Sequence, residues 1–350
     1  MSFSRRRPEA ETTTSGEIPH VTVTESELLA LGEQLKNALA QRGHGDPEAR
    51  RIGHRYAVLL ATDTKHRETS VKLLEWLVGA WAAEPEKRVL ALNDLSRVLD
   101  EAGQPARAEP CHREALAAWE RLRGQNDENT LRAAHNLAVT LIELGRRDEA
   151  EGLLRDTVAR RTRVLGATHP DTIGSRIALA GTLRGSPQRL TEAERLYRAV
   201  LADLGDTGRQ AGQARQNLAA VLFDAGRSDQ AEKMYRRTLT DFGRLLGAEH
   251  PATLTVRHNL AVLLNARGMI AEAEREVGEV LAVRRRVLGR HHPETLDSQV
   301  SLSAMRANQG RVTEALPLLE DALQGLRATH GPDHPLVREL QRVRTELRGA

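Results

Sequence analysis

"HNLAVLLNARGMIAEAEREVGEVLAVRRRVLGRHHPETL", residues 258–296, is the stretch on which the fold turns. Its apolar residues recur at three and four, the period of a helix with one buried face. Gly268 divides it into two such runs, at a point where a helix C-terminus favours a left-handed residue. The stretch closes on "VLGRHHPETL", which sets His291 and His292 beside Pro293 and Glu294. Two histidines near a carboxylate could bind a metal, form an acid–base pair, or shape a turn that the chain uses repeatedly.

Working outward settles the choice in favour of the turn. "LLGAEHPATL" stands at 245–254 and "VLGATHPDTI" at 164–173, with a weaker copy, "THGPDHPLV", at 329–337. His250 and His292 are 42 residues apart, as are His292 and His334. At 123–131 "RGQNDENTL" holds the same register, with Asp127 and Glu128 in place of His-Pro. Between these anchors "HNLAVTLIELGRRDEAE" (135–151) and "QNLAAVLFDAGRSDQAE" (216–232) match 258–274; 92–109 and 300–316 are looser copies. Each unit is a helix, a turn at Gly103, Gly145, Gly226, Gly268 or Gly310, a second helix and the connector. In the connector, proline suits the first helical turn, where its missing N–H costs nothing. Asp171 and Glu294 place negative charge near a helix N-terminus. Successive helices stand about 8–10 Å apart, so His250, His292 and His334 form a row and do not converge on a metal.

This pattern, with "NLA", a glycine turn and "EAE" opening the second helix, resembles the tetratricopeptide repeat in its 42-residue, kinesin light chain-like form, also widespread in bacteria. The resemblance covers about residues 88–337. It implies an all-α fold, a right-handed superhelical solenoid of antiparallel helix pairs. The expected organisation is a disordered tail at 1–22, an N-terminal helical cap or degenerate repeats at 23–87, about six repeats at 88–335 and a capping helix at 336–350. No long heptad seam precedes the repeats, so a motor light chain itself is not expected. One unit departs: Asn136 to Ala178 is 42 residues, but Ala178 to Asn217 is 39. "LRGSPQRLTEAE" carries one extra residue in the inner turn, and "LADLGDTGRQAGQ" (201–213) reads as a shortened connector.

By the same resemblance the first helices line a concave groove, and the asparagine of "NLA" with the residues one and four before it faces a ligand. Those residues are Arg132, His135 and Asn136; Gln213, Gln216 and Asn217; Thr255, His258 and Asn259. Asp94, Ala178 and Ser301 hold the asparagine position elsewhere, so the polar row is incomplete. An amide can both donate to and accept from an extended peptide backbone; the alternative is a bond inside the helix pair.

Composition agrees with a helical scaffold. The 350 residues are 40% hydrophobic, 28% charged and only 3% aromatic, which disfavours a β-sandwich and base-stacking platforms. A net charge of +3 on 51 basic and 48 acidic side chains does not call for nucleic acid. Cys111 alone can build neither a disulfide nor a cysteine knuckle, and no apolar run reaches membrane-spanning length. Arginine far outnumbers lysine, a mark of a GC-rich genome and so of a bacterium. The runs "ARRTR" (159–163) and "RRR" (284–286) read as solvated faces that complement helix dipoles. No phosphate loop, nucleophile elbow or zinc motif occurs. The expected protein is cytoplasmic, without cofactor, metal or catalysis, and binds a protein or peptide in its groove. The alternatives are a regulatory sensor whose superhelix responds to a signalling peptide or small molecule, and an enzyme with a site in the groove.

Overall fold

Every helix in the computed structural model, which describes residues 24–205, 207–331 and 335–349, packs on the one before it. The tail expected at 1–22 and the fourth connector histidine, His334, lie outside the described residues. The sixteen α-helices of the described residues are α1 (Glu25–Arg42), α2 (Pro47–Leu60), α3 (Arg67–Ala80), α4 (Pro85–Glu101), α5 (Pro105–Arg123), α6 (Glu128–Glu143), α7 (Arg147–Leu165), α8 (Pro170–Leu183), α9 (Leu190–Leu204), α10 (Arg209–Asp224), α11 (Ser228–Leu245), α12 (Pro251–Ala266), α13 (Ile270–Val287), α14 (Pro293–Asn308), α15 (Val312–His330) and α16 (Pro335–Gly349). From α2 to α15 they form antiparallel pairs. First helices also touch one another across the pairs, α6 on α8, α8 on α10, α10 on α12 and α12 on α14. That closeness makes them the inner wall of the solenoid.

The repeated connector is a capping device. His169, His250 and His292 are extended residues whose Nδ1 accepts from the backbone N–H two places on, at 3.2, 3.1 and 3.3 Å. Asp127 caps α6 in the same way with a carboxylate oxygen at 2.9 Å. A side-chain acceptor satisfies one N–H that the helix leaves open, and the proline behind it removes another. Three residues before each of these caps the chain turns through a glycine of positive φ, Gly124, Gly166, Gly247 and Gly289.

The irregular unit corrects one sequence expectation. Its connector is not shortened: Gly205 and Gly208 keep the spacing of Gly247 and His250. What is shorter is α9, with 15 residues against 19 in α7 and 18 in α11. The extra residue before it is taken up by a 3-10 turn at Pro187–Arg189. The largest apolar cluster, from Ile173 in α8 to Met305 in α14, runs through this unit without a break.

One edge of the solenoid carries an ion-pair ladder. Glu109, Glu151, Glu194, Glu232 and Glu274, each on a second helix, accept from Arg146, Arg189, Arg227, Arg267 and Arg311 at the inner turn of the following unit. The arginines pull each of Glu151, Glu194 and Glu274 below the ordinary glutamate range, against the burial that would raise it. Each unit is thus bound to the next by apolar packing within and charge outside, as a quasi-one-dimensional array requires.

Candidate groove site

The residues expected on the inner wall divide into three groups. Arg132, Asn136 and Gln213 are exposed. Gln216, Asn217, Thr255 and Asn259 are half-buried. Thr255 Oγ1 lies within donating distance of either the Pro251 carbonyl or Glu294, and accepts from Arg284 at 3.0 Å. The third group is the two histidines, each of which bonds to the neighbouring first helix. His135 is half-buried, with Nδ1 3.2 Å from Ser175 Oγ. His258 is 4% exposed, and its Nε2 lies 3.1 Å from Asp297 Oδ2 and 3.5 Å from Ser301 Oγ. Both therefore link one first helix to the next. His54, 2.9 Å from Asp94, does the same between α2 and α4.

Burial lowers the His135 pKa to about 4, with the Arg161 charge acting in the same direction, so the ring is neutral at physiological pH. Burial would raise Asp297, but its bond to His258 and the charges of His258 and Arg284 hold it below the usual aspartate range.

Ser301, His258 and Asp297 invite comparison with a hydrolytic triad, and the geometry refuses it. Serine and carboxylate meet the same ring nitrogen, Nε2, while Nδ1 is buried without a partner among the described residues. A triad needs them on opposite nitrogens, so that the base can take a proton while the acid orients it. Cys111 is pushed up to about 11, mainly by burial, which leaves the thiolate scarce. Among the described residues no three of His, Cys, Asp and Glu gather as a metal site. A cavity of about 500 Å³ lies between α2 and α4, lined in part by Arg51, His54, Trp81, Lys87 and Leu90.

Sequence reasoning misplaced two arginines. Arg161 and Arg284, each within a run read as solvated, are 3% and 1% exposed. Each stands five residues before a connector glycine, where other units carry Trp119, Val200, Phe242 and Leu326. That register is otherwise apolar, and the signal was present in the repeat alignment. Arg161 donates to the Asp171 carbonyl at 2.6 Å and Ser175 Oγ at 2.8 Å, and so fastens α7 to α8. Arg284 repeats this on the Glu294 carbonyl at 2.9 Å and Ser298 Oγ at 2.8 Å.

Comparison with known proteins gives the same architecture. No curated protein matches the chain. A tetratricopeptide repeat protein from Parabacteroides merdae is similar in fold, with 15% identity over 84% of this chain and 99% of its own, at a TM-score of 0.57. A Podosopora anserina chain of nearly identical TPR-like repeats, named for kinesin light chain, is 28% identical over 57% of this chain and 95% of its own, at 0.45. Tetratricopeptide repeat family patterns match residues 89–129, 130–171, 210–286 and 295–336, and the longest interval between matches, 172–209, holds the short helix α9. With more than half of its length matched, the chain belongs to the tetratricopeptide repeat family.

Proposed function

We propose that this protein is a scaffold that binds an extended segment of another protein along its inner wall and performs no chemistry itself. The observation that carries the reading is the wall: adjacent first helices packed on one another, with Arg132, Asn136 and Gln213 exposed along it. Thr255, Gln216, Asn217 and Asn259 extend the polar row, while His135 and His258 set the spacing of the helices behind it. Amide side chains at repeat spacing suit the alternating donors and acceptors of an extended backbone. Residues 24–87 and 336–349 close the two ends of the array. The protein works in the cytoplasm; no helix of the described residues is long and apolar enough to cross a membrane.

The test is affinity capture from the source organism with the wild type and Arg132→Ala/Asn136→Ala/Gln213→Ala side by side, at equal helicity. A partner held by the wild type and lost from the variant supports the groove. A partner held equally by both places binding elsewhere on the molecule and removes this reading.

A further inference from the structure

A cavity of about 550 Å³ opens where the α1–α2 connector meets α3, the second helix of its pair. His44 and Gly45 of the connector, Arg50 of α2, and Trp76 and Gly79 of α3 line most of it. A second helix and a connector make its walls, not the row of first helices that forms the inner wall. It also precedes the first interval matched by the repeat patterns, which begins at residue 89.

Trp76 is fixed here by close packing on α2. A Cβ at Gly53 would stand 2.8 Å from Trp76 Cζ3, so only a glycine lets the indole lie this near the helix backbone. The indole is half-buried and borders the cavity. The exposed His44 stands across from it, with ring centroids 5.8 Å apart and planes at 75°. Two rings set nearly at right angles form a corner, in which a third can stack on one and turn its edge to the other. Gly79 leaves the space beside them open, since nothing lies within 4 Å of the place its Cβ would take.

Charges at the rim are answered from within the fold. Arg50 spends Nη1 on the Ala80 carbonyl and Glu84, each at 2.8 Å, and Nη2 on the Gly45 carbonyl at 2.7 Å. Glu75 accepts from Arg107 at 3.0 Å. An ionic ligand would have to compete with these partners, whereas an uncharged ring disturbs none of them.

We propose that this corner binds a neutral aromatic ring stacked on Trp76, carried either by a small molecule or by an aromatic side chain of a partner protein. The cavity has the volume of an ordinary ligand site. Because it stands off the inner wall, it can be filled whether or not the groove is.

The experiment records the indole N–H signals of the full-length protein, which come from Trp76, Trp81 and Trp119. Trp76→Phe identifies the signal of Trp76. Phenol, N-acetyltyrosinamide and tetramethylammonium are added in separate titrations at neutral pH. A saturating shift of the Trp76 signal is expected with the aromatic probes, half-complete at about 1 mM, the range open to so few heavy atoms. The signal of the buried Trp119 should stay in place. Gly79→Leu fills the open space while it raises helix propensity. It should keep the helicity and the unfolding midpoint and weaken binding by about tenfold or more. A shift with both aromatic probes shows that the ring suffices, and a shift with N-acetyltyrosinamide alone assigns a ring carried on a peptide; the site stands in both cases. Absence of saturation, equal binding by Gly79→Leu, or saturation by tetramethylammonium alone overturns it. None of these readouts involves the groove, so this result and the capture experiment can fail independently.

Discussion

At the α13–α14 junction a helix of 18 residues gives way to Gly289, and three residues later His292 caps the next helix through its ring nitrogen. At the α9–α10 junction a helix of 15 residues gives way to Gly205, and three residues later Gly208 stands at the cap with no side chain. The backbone plan is the same; the length of helix and the chemistry of the cap are not. Removing close to one turn leaves the remaining face nearly in place, because four residues make about 400° of helix. Val200 thereby occupies the buried register of Arg161 and Arg284. A repeat of this kind tolerates loss of a whole turn while it keeps its connector.

The packing around the short helix is where the comparison breaks most sharply. Gly212 holds a first-helix register that carries Leu131, Ile173, Leu254 and Leu296 in other units. A Cβ at Gly212 would stand 2.1 Å from Phe242 Cε1. Helix propensity alone makes Gly→Ala favourable by about 1 kcal/mol in a helix interior. The clash decides the sign here: Gly212→Ala is expected to cost about 3 kcal/mol, as overpacking of a filled core does. Urea unfolding measures it, and Phe242→Leu in the same background should restore part of the loss. Equal stability of wild type and Gly212→Ala would show that the contact yields easily.

Ahead of the short helix, the α6–α8 junction is held by His135, whereas α10 reaches back to α8 through Gln210, which donates to the Pro170 carbonyl at 3.3 Å. The folded-state pKa of His135, about 4, lies below the ordinary histidine value of 6.5. The unfolded chain therefore takes up the proton first. Stability is full above about pH 6.5 and falls as the pH drops toward 4, by about 2–3 kcal/mol in all. Urea midpoints across that range should show the slope in the wild type, and a shallower one in His135→Asn. Equal slopes would remove His135 as its source.

The caps give a smaller effect and opposite lessons. His250→Ala removes a side-chain acceptor from α12 and is expected to cost about 1 kcal/mol. Gly208→Asp supplies the acceptor that α10 lacks, yet at φ 96 and ψ 168 the backbone suits glycine almost alone. We expect the strain to outweigh the new bond, so that both substitutions lower the unfolding midpoint. A rise for Gly208→Asp would mean that the connector relaxes to accept a side chain.

How much of this could be read from the sequence follows from what repeats. The helix pairs, turn glycines and connector were legible because every unit restates them in one register. The architecture of the connector histidines was legible too, although the ring nitrogen as the capping atom was not. Residues that differ between units were harder. His135 and His258 were expected on the wall, but spacing alone did not reveal that each also bonds Ser175 or Asp297, a partner about one unit away in sequence. Arg161 and Arg284 read as solvated because a run of arginines hides which member falls on the buried face. The shortened helix was mistaken for a shortened connector because a deletion fixes the count of residues and not their place.

The ion-pair ladder offers the finest test of whether the short helix disturbs the array. Glu194, near the start of α9, accepts from Arg198 and Arg227; Glu232, one unit on, accepts from Arg236 and Arg267. The two glutamates are similarly shielded, each with less than a fifth of its side chain exposed. If a turn can be lost from α9 without shifting the outer edge, Glu194→Gln and Glu232→Gln should cost the same, about 0.5–1 kcal/mol. Both losses should shrink at high salt, where the ladder is screened in the wild type as well. A silent Glu194→Gln beside a costly Glu232→Gln would show that the deletion loosens this edge of the solenoid even though the core runs through it.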